Sequence, residues 1–139
     1  MIHTLPDCVI ITDEPLRTKM MAAHHMEQAA LVSGENELPV YVGNYRGVPM
    51  ALVTYTGGVN ACIDALQRQR VKHIVHACTV VSDKHPPRTV YTSGDDTVLH
   101  IMTVAENTVT GETMDGAERV SRLYDAVQMA FDTLSNTNN

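Results

Sequence analysis

The chain has 139 residues, of which 44% are hydrophobic, so it is long and apolar enough to bury one core of its own. Its formal net charge of −6 argues against a general binder of nucleic acid, because such proteins gather Lys and Arg on one face. The three cysteines lie far apart and form no CxxC pair, which predicts neither a disulfide framework nor a zinc knuckle.

The amino terminus, MIHTLPDCVII, has no basic segment and too short an apolar run for a signal peptide. No stretch approaches the roughly 18 apolar residues of a membrane-spanning helix. We therefore expect a cytoplasmic protein in a reducing compartment, with no membrane partner.

The first half of the chain predicts a strand, a helix and a hairpin. Residues 7–12, DCVIIT, form a short β-branched run that is typical of a buried strand. Pro15 suits the first position of a helix, and apolar residues at near-helical spacing extend this helix over residues 15–32, up to Ser33 and Gly34. Strands over residues 40–45 and 50–55 then flank Arg-Gly, which predicts a hairpin turn.

The second half predicts one more helix, three strands and a long final helix. A helix begins at Val59, and the apolar run HIVHACTVV after it is typical of a strand in a parallel sheet. A weak strand over residues 89–92 and a further strand over residues 98–104 follow. Asp115 and Glu118 form a capping-box-like start to the last helix, and the tail SNTNN is expected to fray.

Strands and helices follow each other without a repeat, a low-complexity segment or a linker. The predicted fold class is therefore α/β: a single domain over residues 1–139, layered, with a mixed, mostly parallel sheet flanked by about three helices. Ligands of such sheets bind beyond the carboxyl ends of strands. Four segments lie at predicted strand ends and are expected to converge on one site: residues 13–17, 56–60, 76–82 and 106–107.

Two blocks of the sequence resemble the nucleoside phosphorylase and uridine phosphorylase superfamily, which includes purine nucleoside phosphorylases of the bacterial hexameric type. TDEPLRTKMMA is similar to the family's Gly-Asp-Pro-x-Arg segment, NYRGVPMALVTYTGGVNACIDAL to its hairpin and Gly-rich helix start, and VKHIVHACTV to its strand with an Arg and a Ser or Thr. Residues 99–134 resemble its final strand, acid-bearing loop and last helix. The resemblance implies a shortened phosphorylase-like fold.

The resemblance implies an anion site for inorganic phosphate, the possible co-substrate. Arg17 matches the family's phosphate-binding Arg, Thr79 matches its Ser or Thr, and Gly57 and His76 fall at the Gly-rich turn and at the strand Arg. A guanidinium, a hydroxyl and backbone N–H groups at a helix start are suitable donors to an oxyanion. From the residues alone, Arg17 is equally an exposed Arg at a helix start, Thr79 an ordinary β-branched strand residue and Gly57 part of a turn.

The resemblance also implies a catalytic pair. Glu106 falls where the purine enzymes have an acid that protonates the departing base, and Arg119 falls where they have an Arg that pairs with that acid. Cleavage of an N-glycosidic bond leaves negative charge on the base, which an acid and a cation stabilise. The alternative is a loop Glu and a solvent-facing Arg on an amphipathic helix.

Several positions depart from the family pattern. The Gly of the first motif is Asp13, which would repel a phosphate, and the strand Arg is His76, which is mostly neutral at pH 7. The Arg that neighbouring subunits lend to the phosphate falls near Asn36. Residues 87–98 hold no counterpart of the family's Met-Glu-Met-Glu-like segment for the ribose hydroxyls.

These features predict a degenerate phosphorylase-like protein that binds a nucleoside, base or nucleotide, or that assembles with an intact family member and modulates it. The partners expected are this small molecule and further subunits, in a homo-oligomer or in a hetero-oligomer with a family member. The alternative is an active pentosyltransferase or nucleosidase that cleaves the N-glycosidic bond. An interaction domain with a decayed site is also compatible with the fold.

No metal and no organic cofactor is expected. The histidines are adjacent, as in His24 and His25, or scattered, and neither pattern has metal-ligand spacing. Cys78 lies near His76, but strand alternation favours a buried, inert thiol there.

Overall fold

A computed structural model describes residues 5–13, 15–33 and 39–137, in which seven strands form one sheet flanked by three helices. The predicted α/β class is confirmed. The strands are β1 (Cys8–Thr12), β2 (Glu27–Leu31), β3 (Val40–Tyr45), β4 (Val48–Thr54), β5 (His73–Ser82), β6 (Val90–Gly94) and β7 (Val98–Asn107), and the helices are α1 (Pro15–His25), α2 (Val59–Arg68) and α3 (Gly116–Thr137). None of these three helices is long and apolar enough to cross a membrane.

The sheet has the strand order β2-β3-β4-β1-β5-β7-β6. Its four central strands, β4, β1, β5 and β7, are parallel, as predicted, while β3, β2 and β6 run antiparallel to their neighbours at the two sides. The carboxyl ends of the four central strands therefore lie along the same edge of the sheet.

Strand β1 lies at the centre and is buried on both of its faces. Cys8 and Ile10 pack with α1 and α3, whereas Val9 and Ile11 pack with α2. This alternation divides the core into two clusters, because successive side chains of a strand point to opposite faces. We call the side of the sheet that carries α1 and α3 the α3 face, and the other side the α2 face.

The predicted hairpin is confirmed, with a two-residue turn between β3 and β4. Both turn residues have positive φ, 51° at Arg46 and 81° at Gly47, as the turns that best match strand twist require. Strand β4 starts two residues earlier than predicted, at Val48.

The predicted helix over residues 15–32 is wrong in its second half. Helix α1 ends at His25, and the chain then forms edge strand β2 against β3. A Cβ atom at Gly43 of β3 would lie 2.8 Å from the carbonyl oxygen of Glu27 and 3.1 Å from the Cα atom of Ala29, so Gly43 permits the close approach of β2. The spacing of Ala30 and Leu31 is compatible with a helix, but pairing with β3 overrides that local preference. Gly34, predicted to end the helix, lies outside the described residues.

The last two elements are longer than predicted. Strand β7 continues to Asn107, so Glu106 belongs to the strand, and α3 continues to Thr137, which leaves only residues 138–139 of the expected frayed tail outside the described part. The capping box is half formed: Asp115 Oδ1 accepts the backbone N–H of Glu118 at 2.8 Å, while the Glu118 carboxylate binds Arg88.

Candidate functional site

The described residues of the four segments predicted to converge lie at the same edge of the sheet. Strands β1, β4, β5 and β7 end there, at Thr12, Thr54, Ser82 and Asn107. Helices α1 and α3 follow β1 and β7 on one face, while α2 follows β4 on the other. The connections thus diverge between the neighbouring strands β1 and β4, the kind of position at which open α/β sheets bind ligands.

A β-bulge in β7 decides which face Glu106 occupies. The register shifts from Val80 opposite Val104 to Val81 opposite Glu106, so Ala105 is the extra residue. Val75 and Ala77 of β5 pack in the cluster of the α3 face, and the alternation places Thr79 and Val81 on this face too. Glu106, paired with Val81, therefore shares the α3 face with Thr79, with their Cα atoms roughly 8 Å apart.

Glu106 is half-buried and lies next to a loop that several hydrogen bonds hold in place. Thr113 forms a β-bridge with it, and Asn107 next to it accepts the backbone N–H groups of Val109 and Thr110 at 2.9 and 2.8 Å. Among the described side chains, none donates a hydrogen bond to the Glu106 carboxylate or forms an ion pair with it. Its acceptor oxygens are thus available to a ligand.

Arg119 lies in the first turn of α3, just after the same loop. Its Nη2 donates to Thr113 Oγ1 at 2.9 Å and its Nε donates to the Met114 carbonyl at 3.2 Å. The ion pair with Glu106 that the resemblance implies is not present among the described side chains. Thr113 contacts both residues.

Several threonine hydroxyls lie on the α3 face near this edge. Thr12 is opposite Thr54 on the neighbouring strand, and the hydroxyls of Thr54 and Thr18 are 2.5 Å apart. The Thr12 hydroxyl is fully buried and has no hydrogen-bond partner in the described part of the chain. Thr79 is exposed and stands beside Thr103 of β7. Of these threonines only Thr79 is exposed, so it is the one whose hydroxyl a ligand can reach.

Arg17, the predicted phosphate-binding Arg, and Asn36, where the family's second Arg is missing, are not described in full. Arg17 belongs to the first turn of α1, close to the carboxyl end of β1, but its side chain lies outside the described residues. Asn36 lies outside them altogether. The phosphate-binding role of Arg17 stays a prediction.

Gly57 and His76 belong to the α2 face instead. Gly57 has a φ of 75° and precedes Gly58, the N-cap residue of α2. A Cβ atom at Gly57 would meet nothing within 4 Å, so its conformation, rather than close contact, explains the glycine. The structure therefore does not bring Gly57 and His76 together with Thr79.

His76 is buried in a hydrogen-bonded chain of three side chains. Its Nε2 is 2.7 Å from the Tyr55 hydroxyl, and its Nδ1 is 3.0 Å from Nδ1 of His100. Burial, reinforced by the neighbouring His100, lowers the pKa of His76 to about 4, although the charge of Asp13 opposes this shift. His76 is therefore neutral at pH 7, and both of its ring nitrogens are already engaged.

Asp13 influences the α2 face as well. Its negative charge adds to burial in raising the pKa of Tyr55 to about 12 and that of the Cys78 thiol to about 11. The Cys78 thiol is thus protonated at neutral pH, although Cys78 is half-buried and not buried as predicted. Among the described residues, no group of three or more His, Cys, Asp or Glu side chains is arranged to hold a metal ion.

Sequence reasoning missed Tyr55 and His100 as members of a polar cluster. The available signal was their position: Tyr55 directly follows β4, and His100 stands opposite His76 on the neighbouring strand. The pairing of the two histidines depends on the register of two strands that are not adjacent in sequence. It could not be read from either segment alone.

The chain matches no protein-family model, and a search of curated proteins finds no relative that matches it.

Proposed function

We propose that this protein binds a nucleoside or a free nucleobase on the α3 face of the sheet, at the carboxyl ends of β5 and β7, and that it is a relative of nucleoside phosphorylases that has lost phosphorolysis. The observation that carries the proposal is the bulge at Ala105. It directs Glu106 to the same face as Thr79, next to the helix start that bears Arg119.

Glu106 has the chemistry to recognise a nucleobase. A carboxylate accepts hydrogen bonds through two oxygens, and the edge of a purine or pyrimidine offers ring N–H and amino donors. Since no described side chain occupies these oxygens, ligand binding requires no internal bond of Glu106 to break. The exposed Thr79 hydroxyl is near enough to donate to a second group of the same ligand.

The electrostatics argue against phosphorolysis. His76 is neutral and hydrogen-bonded, and it lies on the opposite face from Thr79. It therefore supplies no positive charge at the position where the nucleoside phosphorylases have an Arg. Each charge-assisted hydrogen bond lost in this way removes roughly 1.5–3 kcal/mol from anion binding. Residues 90–94 form the plain edge strand β6, with no counterpart of the sugar-binding segment.

A second candidate function is cleavage of the N-glycosidic bond, by phosphorolysis or hydrolysis. The contact of Thr113 with both Glu106 and Arg119 favours it. In this mechanism the Arg119 guanidinium would leave Thr113 and pair with the acid. Glu106 would then protonate the departing base, and Arg119 would stabilise the developing charge.

The proposal includes a cytoplasmic location and assembly into oligomers, with further copies or with an intact phosphorylase that this protein modulates. Subunits of the resembling family share site residues, which gives such a complex a physical basis. Co-purification of an intact phosphorylase with the tagged protein would test the modulating role.

Calorimetric titration with purine and pyrimidine nucleosides and bases, with and without phosphate, tests the binding site. We expect binding without phosphate and about tenfold weaker binding in Glu106→Gln, because the substitution replaces one anionic acceptor by an amide. Glu112→Gln is the matched control, since Glu112 is an exposed residue of the neighbouring loop. Equal loss of affinity in both variants would contradict a specific role of Glu106.

Chromatography of the same mixtures separates binding from catalysis. Release of free base that requires phosphate and disappears in Glu106→Gln would establish a phosphorylase, and release without phosphate would establish a hydrolase. Absence of both binding and release across the whole panel would overturn both candidate functions.

A further inference from the structure

Strand β6 is the outermost strand on one side of the sheet and presents an open edge. It pairs with β7 on one side only, and all five of its residues are exposed. Val90 and Tyr91 are among the exposed large hydrophobic residues of the protein. An exposed edge of this kind is a template for pairing with another strand.

The hydrogen bonds at both ends of β6 show which backbone groups face outward. The N–H of Asp95 donates to the Val98 carbonyl at 2.9 Å, and the N–H of Val104 donates to the Thr89 carbonyl at 2.8 Å. Hydrogen-bonded pairs alternate along an antiparallel ladder, so the odd-numbered residues of β6 direct their backbone groups to β7. Val90 and Thr92 consequently direct their N–H and C=O groups away from the sheet.

The two edges of the sheet differ in how they are protected. Edge strand β2 contains Glu27, a register shift and a residue with positive φ, Gln28 at 58°, all of which hinder regular pairing with another chain. Strand β6 contains no charged residue and no Pro, and its register with β7 is regular from Val90 to Gly94. Apart from Gly94 at its end, which has a φ of 110°, β6 lacks the features by which edge strands of monomers avoid each other.

The charges that flank β6 favour pairing with a second β6. Asp83, Lys84 and Arg88 precede the strand, and the Arg88 guanidinium already binds the Glu118 carboxylate of its own chain. Asp95 and Asp96 follow the strand, so its second end is the more acidic one. Two backbone N–H groups, from Thr97 and Val98, bind the Asp95 carboxylate and keep it ionised. In an antiparallel pair of identical strands, the acidic end of each strand meets the less acidic end of the other, so the two acidic ends stay apart.

We propose that β6 pairs antiparallel with β6 of a second copy of this chain, around a two-fold axis at Thr92, to form a symmetric dimer with one continuous sheet. This register is the one in which outward-facing Thr92 pairs with its own copy and Val90 pairs with Gly94. It also sets Arg88 opposite Asp96 of the second copy. The proposal is independent of the ligand site on the α3 face.

Analytical ultracentrifugation over a wide range of concentrations tests the dimer, with three variants. Thr92→Pro removes an outward N–H that the β6–β7 ladder does not use, and Thr92→Lys brings two like charges together at the axis. We expect each to raise the dimer dissociation constant by roughly a hundredfold or more. Ala30→Lys in β2 is the control for the other edge and is expected to leave the constant unchanged.

Circular dichroism and the ligand titration on the same samples show whether each variant is folded. A wild-type protein that stays monomeric at all concentrations overturns the proposal. A dimer that persists in folded Thr92→Pro and Thr92→Lys also overturns it, and dissociation by Ala30→Lys alone would locate the interface at β2 instead.

Discussion

The surroundings of the buried His76 side chain determine its protonation state. Two Nδ1 atoms 3.0 Å apart, on His76 and His100, form a hydrogen bond only if one of them donates and the other accepts. A neutral His76 meets this condition and still offers its Nε2 atom to the Tyr55 hydroxyl. A second proton on the His76 ring would have to be buried beside another imidazole.

We predict that this arrangement makes the protein less stable in mild acid. The pKa of His76 is about 4 in the folded state and 6.5 when the ring is exposed, so the unfolded chain binds more protons between these values. The contribution of His76 to the free energy of unfolding is complete above pH 6.5 and is lost as the pH falls towards 4. The loss amounts to about 3 kcal/mol, measured by urea denaturation across this pH range.

The variant His76→Gln isolates this effect. It should flatten the pH dependence while retaining a residual slope, because burial also lowers the pKa of His25. Other groups near His76, namely His100, Tyr55, Asp13 and Cys78, remain in the variant. The exposed His85→Gln is the control, and an unchanged slope in His76→Gln would refute the assignment to His76.

For a single residue, the sequence indicates the chemical role of the side chain more readily than the side chains that contact it in the fold. His76 was recognised as a neutral replacement for a cation, and Glu106 and Thr79 were predicted to lie near each other. The partners of His76 were not predicted, because Tyr55 and His100 come from two other strands. The face of Glu106 depends on the bulge at Ala105, and no residue type in VAEN marks a bulge.

At the level of elements, the candidate site is built by the end of β7, the loop after it and the start of α3. The Asn107 side chain holds the loop through Val109 and Thr110, and the Met114 N–H returns to the Ala105 carbonyl at 2.8 Å. Asp115 then begins α3 by capping the N–H of Glu118. These bonds position Glu106 and Arg119 relative to each other.

We predict that loss of the cap weakens this segment measurably. Asp115→Ala leaves the Glu118 N–H without its side-chain partner and should lower the free energy of unfolding by about 1 kcal/mol. Asp125→Ala, an exposed change within the same helix, should alter it by less than about 0.5 kcal/mol. Equal effects in denaturant titrations of the two variants would show that the cap contributes nothing specific.

Helix α3 is predictable because its apolar spacing and its cap residue agree, and its apolar face does pack on the sheet. Residues 26–32 were wrongly predicted as helix because local preference and tertiary packing disagree there. Ala29, Ala30 and Leu31 favour a helix locally, and only the neighbouring strand β3, with Gly43 at the point of close approach, makes them a strand. The position of that strand is tertiary information.

At the level of the whole molecule, the sheet has a fully enclosed centre and two exposed edges. Strand β1 has a neighbour on each side and a helix-bearing layer on each face, whereas all residues of β2 and β6 are exposed. The α/β class was predictable because apolar runs and helical periodicities alternate along the chain. The order of the strands was not, since four of them pair with partners distant in sequence.

Hydrogen exchange followed residue by residue should reproduce this order of burial. The amides of Val9, Ile10 and Ile11 are bonded within a strand that has parallel neighbours on both sides, so we expect them to exchange only through global unfolding. The amides of β2 should exchange faster by two orders of magnitude or more, because local opening at an edge breaks few contacts. Protection of β2 equal to that of β1 would mean that the β2 edge is covered in solution, which would also contradict its role as the free edge of the proposed dimer.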